Sequence, residues 1–109
     1  MTALSEKSCK GCSKQTPALS QTEINHLLAQ LDPGWELIEG YLTRKYTFKN
    51  FKQALAFTNK VGELADTQDH HPDIYLAWAK VELKLITHVV NALTENDFIL
   101  AAKIDQINV

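Results

Sequence analysis

The sequence predicts an α+β domain in which a four-stranded antiparallel sheet carries three helices on one face, in the order α-β-β-α-β-β-α. Apolar residues recur at the spacing of an amphipathic helix in three separate segments. Four shorter segments have the character of strands, and their connections are too short for the crossovers of a parallel sheet. We expect residues 19–109 to form this domain and residues 1–18 to be a flexible tail.

The length and charge of the chain exclude several classes of function. A chain of 109 residues suits one domain. The formal net charge of −2 provides no basic stripe for a phosphate backbone, so nucleic acid is not an expected partner. No apolar run is long enough to span a bilayer, and the first residues lack the apolar stretch of a secretory signal. We therefore expect a cytoplasmic protein without a membrane partner.

The tail contains one cysteine pair, Cys9 and Cys12, in a CxxC motif that is not repeated later. A lone pair can be half of a zinc site, a redox pair or neither. It lies in a polar segment and not before a helix of a βαβ unit, which disfavours a thioredoxin-like role. A zinc site needs two further ligands that the neighbouring sequence does not supply. A mobile, reduced tail is therefore the favoured interpretation.

The first helix is predicted to begin at Ser20, which has the spacing of a capping box with Glu23. Asp32-Pro33-Gly34 ends this helix and turns the chain. Between these signals the apolar residues form one helical stripe, namely Ile24, Leu27, Leu28 and Leu31.

A β-hairpin is predicted next, with Glu39-Gly40 at its turn and alternating residues from Trp35 to Thr47. Asn50 is a suitable N-cap for the second helix. That helix is apolar over a broad face, so we expect it to lie across the sheet.

Two strands and a helix complete the predicted domain. The strands are expected around residues 74–78 and 81–88, the second with a regular alternation of side chains. Thr94 then caps the last helix, and Asp97 follows three residues later in the position of a capping carboxylate.

Three of the four histidines lie in the second half of the chain, and two of them are adjacent in His70-His71-Pro72. Imidazole gives and takes protons near neutral pH, so this cluster indicates proton transfer on a small molecule. The second helix should fade over Asp66–Asp69, and Pro72 keeps His71 out of helical geometry. The two rings should therefore lie in different environments, as an acid and a base require. If the helix lasts long enough, Asp66 shares a face with His70 and orients its ring.

Two further residues complete the candidate site. His88 stands at the end of the long strand, and Asp97 lies in the first turn of the last helix. Structural alternatives exist: a lone histidine is usually solvated, Asp97 can be only a cap, and Trp35 can be only a core anchor. Three histidines could also bind zinc. However, two adjacent histidines are poorly placed to bind one ion, and the third is far away in the sequence. We rank metal binding below proton transfer.

This pattern resembles the signature of the pterin-4a-carbinolamine dehydratase family, and the order of helices and strands fits that family as well. The resemblance covers about residues 20–107, and the cysteine-bearing tail is similar to that of bacterial members associated with phenylalanine hydroxylase. The residues that carry the resemblance are Asp66, His70, His71, Pro72, Tyr75, His88 and Asp97.

The resemblance implies a hydro-lyase, 4a-hydroxytetrahydrobiopterin dehydratase. Such an enzyme removes water from the 4a-hydroxytetrahydropterin left by aromatic amino-acid hydroxylases, giving quinonoid dihydropterin in tetrahydrobiopterin recycling. The 4a-hydroxyl leaves better when protonated and N5 loses a proton, so one acid and one base suffice. By resemblance these are His70 and His71, while His88 holds the pterin and shares in proton transfer. No metal or organic cofactor is implied.

The resemblance also implies supporting residues and partners. Asp69 and Thr87 would line the pterin site, and Trp35 would lie at its mouth. Asp66 and Asp97 would orient the histidines. The implied partners are the pterin substrate and further copies of the chain in a homodimer or homotetramer, with a functional link to phenylalanine hydroxylase.

Two other functions stay open. One alternative is a binding protein, because some members of the family are dimerisation partners of a transcription factor in animals. In this chain such a protein would regulate a hydroxylase. A zinc-binding module built from Cys9, Cys12 and histidines is the other.

Overall fold

Three helices lie against one face of a four-stranded antiparallel sheet in a computed structural model that describes residues 3–11 and 13–107. The element order confirms the α-β-β-α-β-β-α prediction. The bounds are α1 Gln21–Leu28, β1 Glu36–Ile38, β2 Tyr41–Thr47, α2 Phe51–Gln68, β3 Asp73–Ala77, β4 Lys80–Leu85 and α3 Glu95–Ile104, with a short 3-10 helix at Leu4–Glu6. No helix within the described ranges has the length and apolar character that crossing a membrane requires.

The starts of α1 and α2 follow their local signals. The Ser20 hydroxyl accepts the Glu23 N–H at 3.2 Å, and the Glu23 carboxylate accepts the Ser20 N–H at 2.9 Å. The bond from the Ser20 backbone is the main reason that the pKa of Glu23 is lowered. Asn50 Oδ1 accepts the Gln53 N–H at 2.9 Å. Both predicted caps are therefore confirmed, although α1 ends at Leu28, before the predicted turn.

The sheet has the strand order β1-β2-β4-β3, and every neighbouring pair is antiparallel. β1 and β2 form the predicted hairpin. Its turn residues Glu39 and Gly40 both have positive φ, 52° and 85°, which is the requirement of a tight hairpin turn that matches the strand twist. β4 ends at Leu85, three residues before the predicted end at His88.

The core lies between the sheet and the helices. Val81, Leu83 and Leu85 of β4 are buried, while Glu82 and Lys84 between them are only partly buried. Burying an apolar side chain of this size contributes roughly 1.5–3 kcal/mol. The two long helices supply much of the remaining core, including Val61, Ala65, Phe98, Ile99, Leu100 and Ile104.

The N-terminal segment packs along α3. Leu4 is buried in the core, the Lys103 ammonium donates to the Ser5 carbonyl at 3.0 Å, and the Lys7 ammonium lies 3.1 Å from the Glu95 carboxylate. The segment therefore runs from the last turn of α3 towards its first. Composition did not indicate these contacts, because the segment is mostly polar. The flexibility predicted for residues 1–18 stays a prediction for amide-exchange measurements.

Candidate active site

The chain reverses direction just before the paired histidines. α2 ends at Gln68, and Asp69 has left-handed backbone angles, φ 50° and ψ 40°. The Asp69 N–H bonds the Asp66 carbonyl and the His70 N–H bonds the Ala65 carbonyl, which are the two bonds of a Schellman motif. The motif satisfies carbonyls of the last helical turn and takes His70 out of the helix.

His70 is directed towards the start of α3. Its Nε2 lies 2.7 Å from Oδ1 of Asp97. The His70 side chain is 11% exposed, and the Asp97 side chain is completely buried. The second oxygen of Asp97 accepts the Thr94 N–H at 2.9 Å and the Thr87 hydroxyl at 2.8 Å. The two threonine hydroxyls lie 2.8 Å apart. One carboxylate is therefore both the cap of α3 and the partner of His70.

The contacts of Asp97 determine which nitrogen of His70 is available. A carboxylate oxygen accepts hydrogen bonds, so we assign the hydrogen of this pair to His70 Nε2. In the neutral ring Nδ1 then carries no hydrogen and can accept a proton. The ring is held by a buried partner that is itself fixed by two donors, and such positioning is what a general base requires.

His71 has a separate partner. Its Nε2 lies 2.9 Å from Oδ1 of Asp66, and the two side chains are 56% and 80% exposed. The conditional prediction that Asp66 pairs with His70 fails, because the helix ends before His70 and the reversed chain brings His71 to Asp66 instead. An exposed pair of this kind is held loosely, so the His71 ring stays accessible to water and to a small molecule.

His88 lies in an exposed turn, which corrects its predicted place at the end of a strand. The chain leaves the sheet after Leu85, and Thr87 forms an isolated bridge with Ala92 that closes the turn. His88 thus directly follows the buried threonine whose hydroxyl bonds Asp97.

Asp69 and Trp35 have different surroundings. Asp69 is exposed in the turn next to His70. Trp35 is buried, 3% exposed, and its indole N–H donates to Oδ1 of Asp105 at 2.8 Å. Asp105 follows the last turn of α3, eight residues beyond Asp97 and therefore about 12 Å further along the helix. These contacts match the core-anchor alternative for Trp35 and give no support to a place at the mouth of the site.

Three residues near the site were not predicted to belong to it. Thr94 was expected only as a cap, and its Thr-x-x-Asp spacing was the available signal. Gln68 and Asn96 bond the backbone of the N-terminal segment, at Cys9 and Lys10 respectively. No local pattern distinguishes these two amides from ordinary surface residues.

In the part of the chain that the structure describes, no three His, Cys, Asp or Glu side chains are grouped in a way that could hold a metal ion. His70 and His71 direct their Nε2 atoms to separate carboxylates. Cys12, one half of the CxxC motif, lies outside the described residues, so the zinc-module alternative stays a prediction.

Fold and site together define a small α+β protein with two adjacent imidazoles held by separate carboxylates, a constellation suited to moving protons on a bound small molecule. A family model described as "Pterin 4 alpha carbinolamine dehydratase" matches residues 17–107. This match covers most of the sequence, and the chain belongs to the pterin-4-alpha-carbinolamine dehydratase family.

Relatives agree with this assignment. A protein from Alkaliphilus metalliredigens is 47% identical over 107 residues, which are 97% of this chain and 96% of the relative. A protein from Rubrobacter xylanophilus is 46% identical over 108 residues, which are 98% of this chain and 100% of the relative. Both carry the provisional name pterin-4-alpha-carbinolamine dehydratase.

A solved structure has the same fold. The crystal structure of a transcriptional coactivator/pterin dehydratase from Brucella melitensis superposes with a TM-score of 0.75 at 34% identity, over 81% of this chain and 95% of that one. The family recognised from the histidine pattern is therefore confirmed.

Proposed function

We propose that the protein is a 4a-hydroxytetrahydrobiopterin dehydratase, a hydro-lyase acting on 4a-hydroxytetrahydropterin. The observation that carries the proposal is the nearly buried His70 imidazole, with one nitrogen 2.7 Å from the buried Asp97 carboxylate. Membership of the family supports the substrate class. In the reaction the C4a–O bond and the N5–H bond break, the C4a=N5 double bond forms, and the hydroxyl leaves as water. The other product is quinonoid dihydropterin.

Histidine acid–base catalysis follows from the demands of that reaction. One group must give a proton to the departing hydroxyl, and another must take the proton of N5. We assign these two roles to His70 and His71, because each ring has one nitrogen beside a carboxylate and a second nitrogen that makes no hydrogen bond among the described residues. Asp97 and Asp66 would orient the two rings.

The neighbouring residues have supporting roles in this proposal. His88 would hold the pterin and share in proton transfer, which its exposed position next to Thr87 allows. Asp69 would line the site beside His70. Thr87 would act through its hydrogen bond to Asp97, since its own side chain is buried.

We further propose a cytoplasmic enzyme of tetrahydrobiopterin recycling that acts after phenylalanine hydroxylase, because aromatic amino-acid hydroxylases leave the 4a-hydroxy compound as product. A homodimer or homotetramer is part of the proposal. Its support is the outer strand β3, one edge of which is unpaired among the described residues and which carries exposed Ile74 and Tyr75, with exposed Trp78 just beyond. Sedimentation velocity would test the oligomer.

The test of the enzyme is to generate 4a-hydroxytetrahydropterin and follow the loss of its absorbance. We expect the protein to accelerate this loss, and His70→Ala to reduce the acceleration by about a hundredfold or more. His26→Ala is the matched control, because His26 is an exposed histidine of α1. Equal decay with and without the protein would contradict the proposal. Pterin binding without turnover would favour the binding-protein alternative.

A further inference from the structure

The N-terminal segment bridges the two helices that meet at the imidazole–carboxylate pair. The Cys9 N–H donates to Oε1 of Gln68 in the last turn of α2, at 2.9 Å. The Lys10 N–H donates to Oδ1 of Asn96 in the first turn of α3, at 3.0 Å, and Nδ2 of Asn96 donates back to the Lys10 carbonyl. Two consecutive residues of the segment therefore contact the end of one helix and the start of the other.

These contacts lie next to the site along the chain. Gln68 precedes His70 by two residues, and Asn96 directly precedes Asp97. Asn96 is buried, with 7% of the residue exposed, and its two bonds to the segment are partly buried. The bridge and the His70–Asp97 bond thus cross the same junction between α2 and α3.

The segment is fixed at its other end as well. Leu4 belongs to the core, and the Ser5 carbonyl accepts the Lys103 ammonium at the last turn of α3. Lys7 lies beside Glu95 at the first turn. Because the segment contacts both the last and the first turn of α3, its bond to Gln68 ties the end of α2 to α3.

We propose that residues 3–10, here called the N-terminal strap, position His70 against Asp97 through Gln68 and Asn96. This inference deepens the proposed dehydratase function and rests on it. Gln68 and Asn96 are positioning residues, because they act on the ring through the ends of α2 and α3. A proton-transferring ring must keep its partner and its substrate within hydrogen-bond reach, so a small displacement of either helix end lowers the rate.

The test uses Gln68→Ala and Asn96→Ala, each of which removes one half of the bridge. Thr67→Ala is the matched control in α2, since the Thr67 hydroxyl bonds the Leu64 carbonyl within the same helix. Gln68→Glu keeps an acceptor oxygen for the Cys9 N–H and serves as the conservative variant. The first readout is the Nε2–H proton signal of His70 in ¹⁵N-histidine-labelled protein, which the bond to Asp97 protects from exchange. The second readout is kcat measured separately from KM.

We expect the His70 signal to broaden or disappear in both alanine variants and to persist in Thr67→Ala and Gln68→Glu. We expect kcat to fall about tenfold with little change in KM, the size of one weakened hydrogen bond. A His70 signal that is unchanged in both alanine variants overturns the strap, whatever the rates are. If Asn96→Ala does not fold, the His70 signal of Gln68→Ala is the deciding measurement, because Gln68 lies at the partly exposed end of α2. If the wild-type protein shows no dehydratase activity, the proposed function fails, while the imidazole signal still decides the strap.

Discussion

Nε2 of His70 lies 2.7 Å from Oδ1 of Asp97, although 27 residues separate them in the chain. The adjacent histidine, His71, pairs with Asp66 in a contact that is largely exposed. Two neighbouring imidazoles therefore have partners of opposite character, one fixed in the interior and one open to water. Substitutions in either pair can therefore distinguish the interior contact from the exposed one.

Replacing Asp97 by Asn should lower both stability and turnover. The amide has the shape of the carboxylate, but its NH₂ group cannot accept a hydrogen bond from Thr94, Thr87 or His70. A buried donor left without a partner costs about 1–3 kcal/mol, which denaturant unfolding will measure. We expect kcat to fall by about tenfold or more. The control is Glu63→Gln, the same kind of change at an exposed carboxylate of α2, and wild-type turnover in D97N would contradict the orienting role of Asp97.

Replacing His71 by Ala should lower the dehydration rate by about a hundredfold while leaving the protein folded. The ring is exposed and its pair with Asp66 contributes little to stability, so the melting temperature should stay close to that of the wild type. Steady-state rates and thermal unfolding on the same samples will check both parts. An unchanged rate at equal folding would refute the assignment of His71.

The dehydration rate should have a bell-shaped pH dependence. Catalysis needs one group that holds a proton and one that lacks it, and each condition fails at one end of the pH range. The rate should be followed over about pH 5–9, the range in which histidine titrates. Single-turnover measurements at the same pH values show whether chemistry limits the rate. A flat profile under chemistry-limited conditions would count against two titrating imidazoles.

Replacing Asp69 by Gly should stabilise the fold and reduce activity. Asp69 has a φ of 50°, a left-handed conformation that costs a non-glycine residue about 1 kcal/mol. Glycine removes that cost, whereas the lost carboxylate weakens the proposed contact with the pterin. Glu39→Gly is the matched control, because Glu39 has a φ of 52° in the β1–β2 turn. A gain in stability for both variants with full activity in D69G would remove Asp69 from the site.

Replacing Tyr46 by Phe should raise the free energy of unfolding by about 1 kcal/mol. Within the described residues the Tyr46 hydroxyl is a buried side-chain atom without a hydrogen-bond partner. The ring itself packs against Phe48 and Phe57, and the Arg44 guanidinium lies 4.6 Å from its centre. Phenylalanine keeps these contacts and removes the unpaired hydroxyl, and denaturant unfolding at neutral pH will measure the gain.

The pH dependence of the same variant provides a second check. Burial raises the pKa of the Tyr46 phenol well above its ordinary value. Above about pH 10 the unfolded chain releases a proton that the folded chain retains, so wild-type stability falls as the pH rises. Tyr46→Phe should lessen that fall. If the free energy of unfolding falls equally with pH in wild type and Y46F, the Tyr46 hydroxyl is not the buried group that causes the fall.

The elements that could be predicted from the sequence depend on contacts between near neighbours. Ser20 caps α1 together with Glu23, and Asn50 caps α2, in each case over three residues. The packing of Leu4 had no such signal, because a single apolar residue in a polar segment has no period. Its burial depends on α3, at the other end of the chain.

The sequence named the residues of the candidate site but only part of their geometry. Spacing alone does not show a contact over 27 residues: His70 and Asp97 were both candidates, and the resemblance gave Asp97 an orienting role, but nothing in the sequence paired the two. The partner of Asp66 was missed because Asp69 adopts a conformation that glycine or asparagine would have signalled. With Asp69 in that conformation, the helix ends two residues before His70, which a helical Asp66–His70 pair would need to include.

The link between α2 and α3 encloses β3 and β4 in a single loop of chain. Closing such a loop is an entropic cost that is recovered only when the final helix docks. Any state in which the sheet has formed and α3 is undocked lacks the His70–Asp97 contact and is therefore expected to be inactive. Turnover regained after dilution from denaturant should consequently return no earlier than strand content, which makes activity a reporter of the docking of α3.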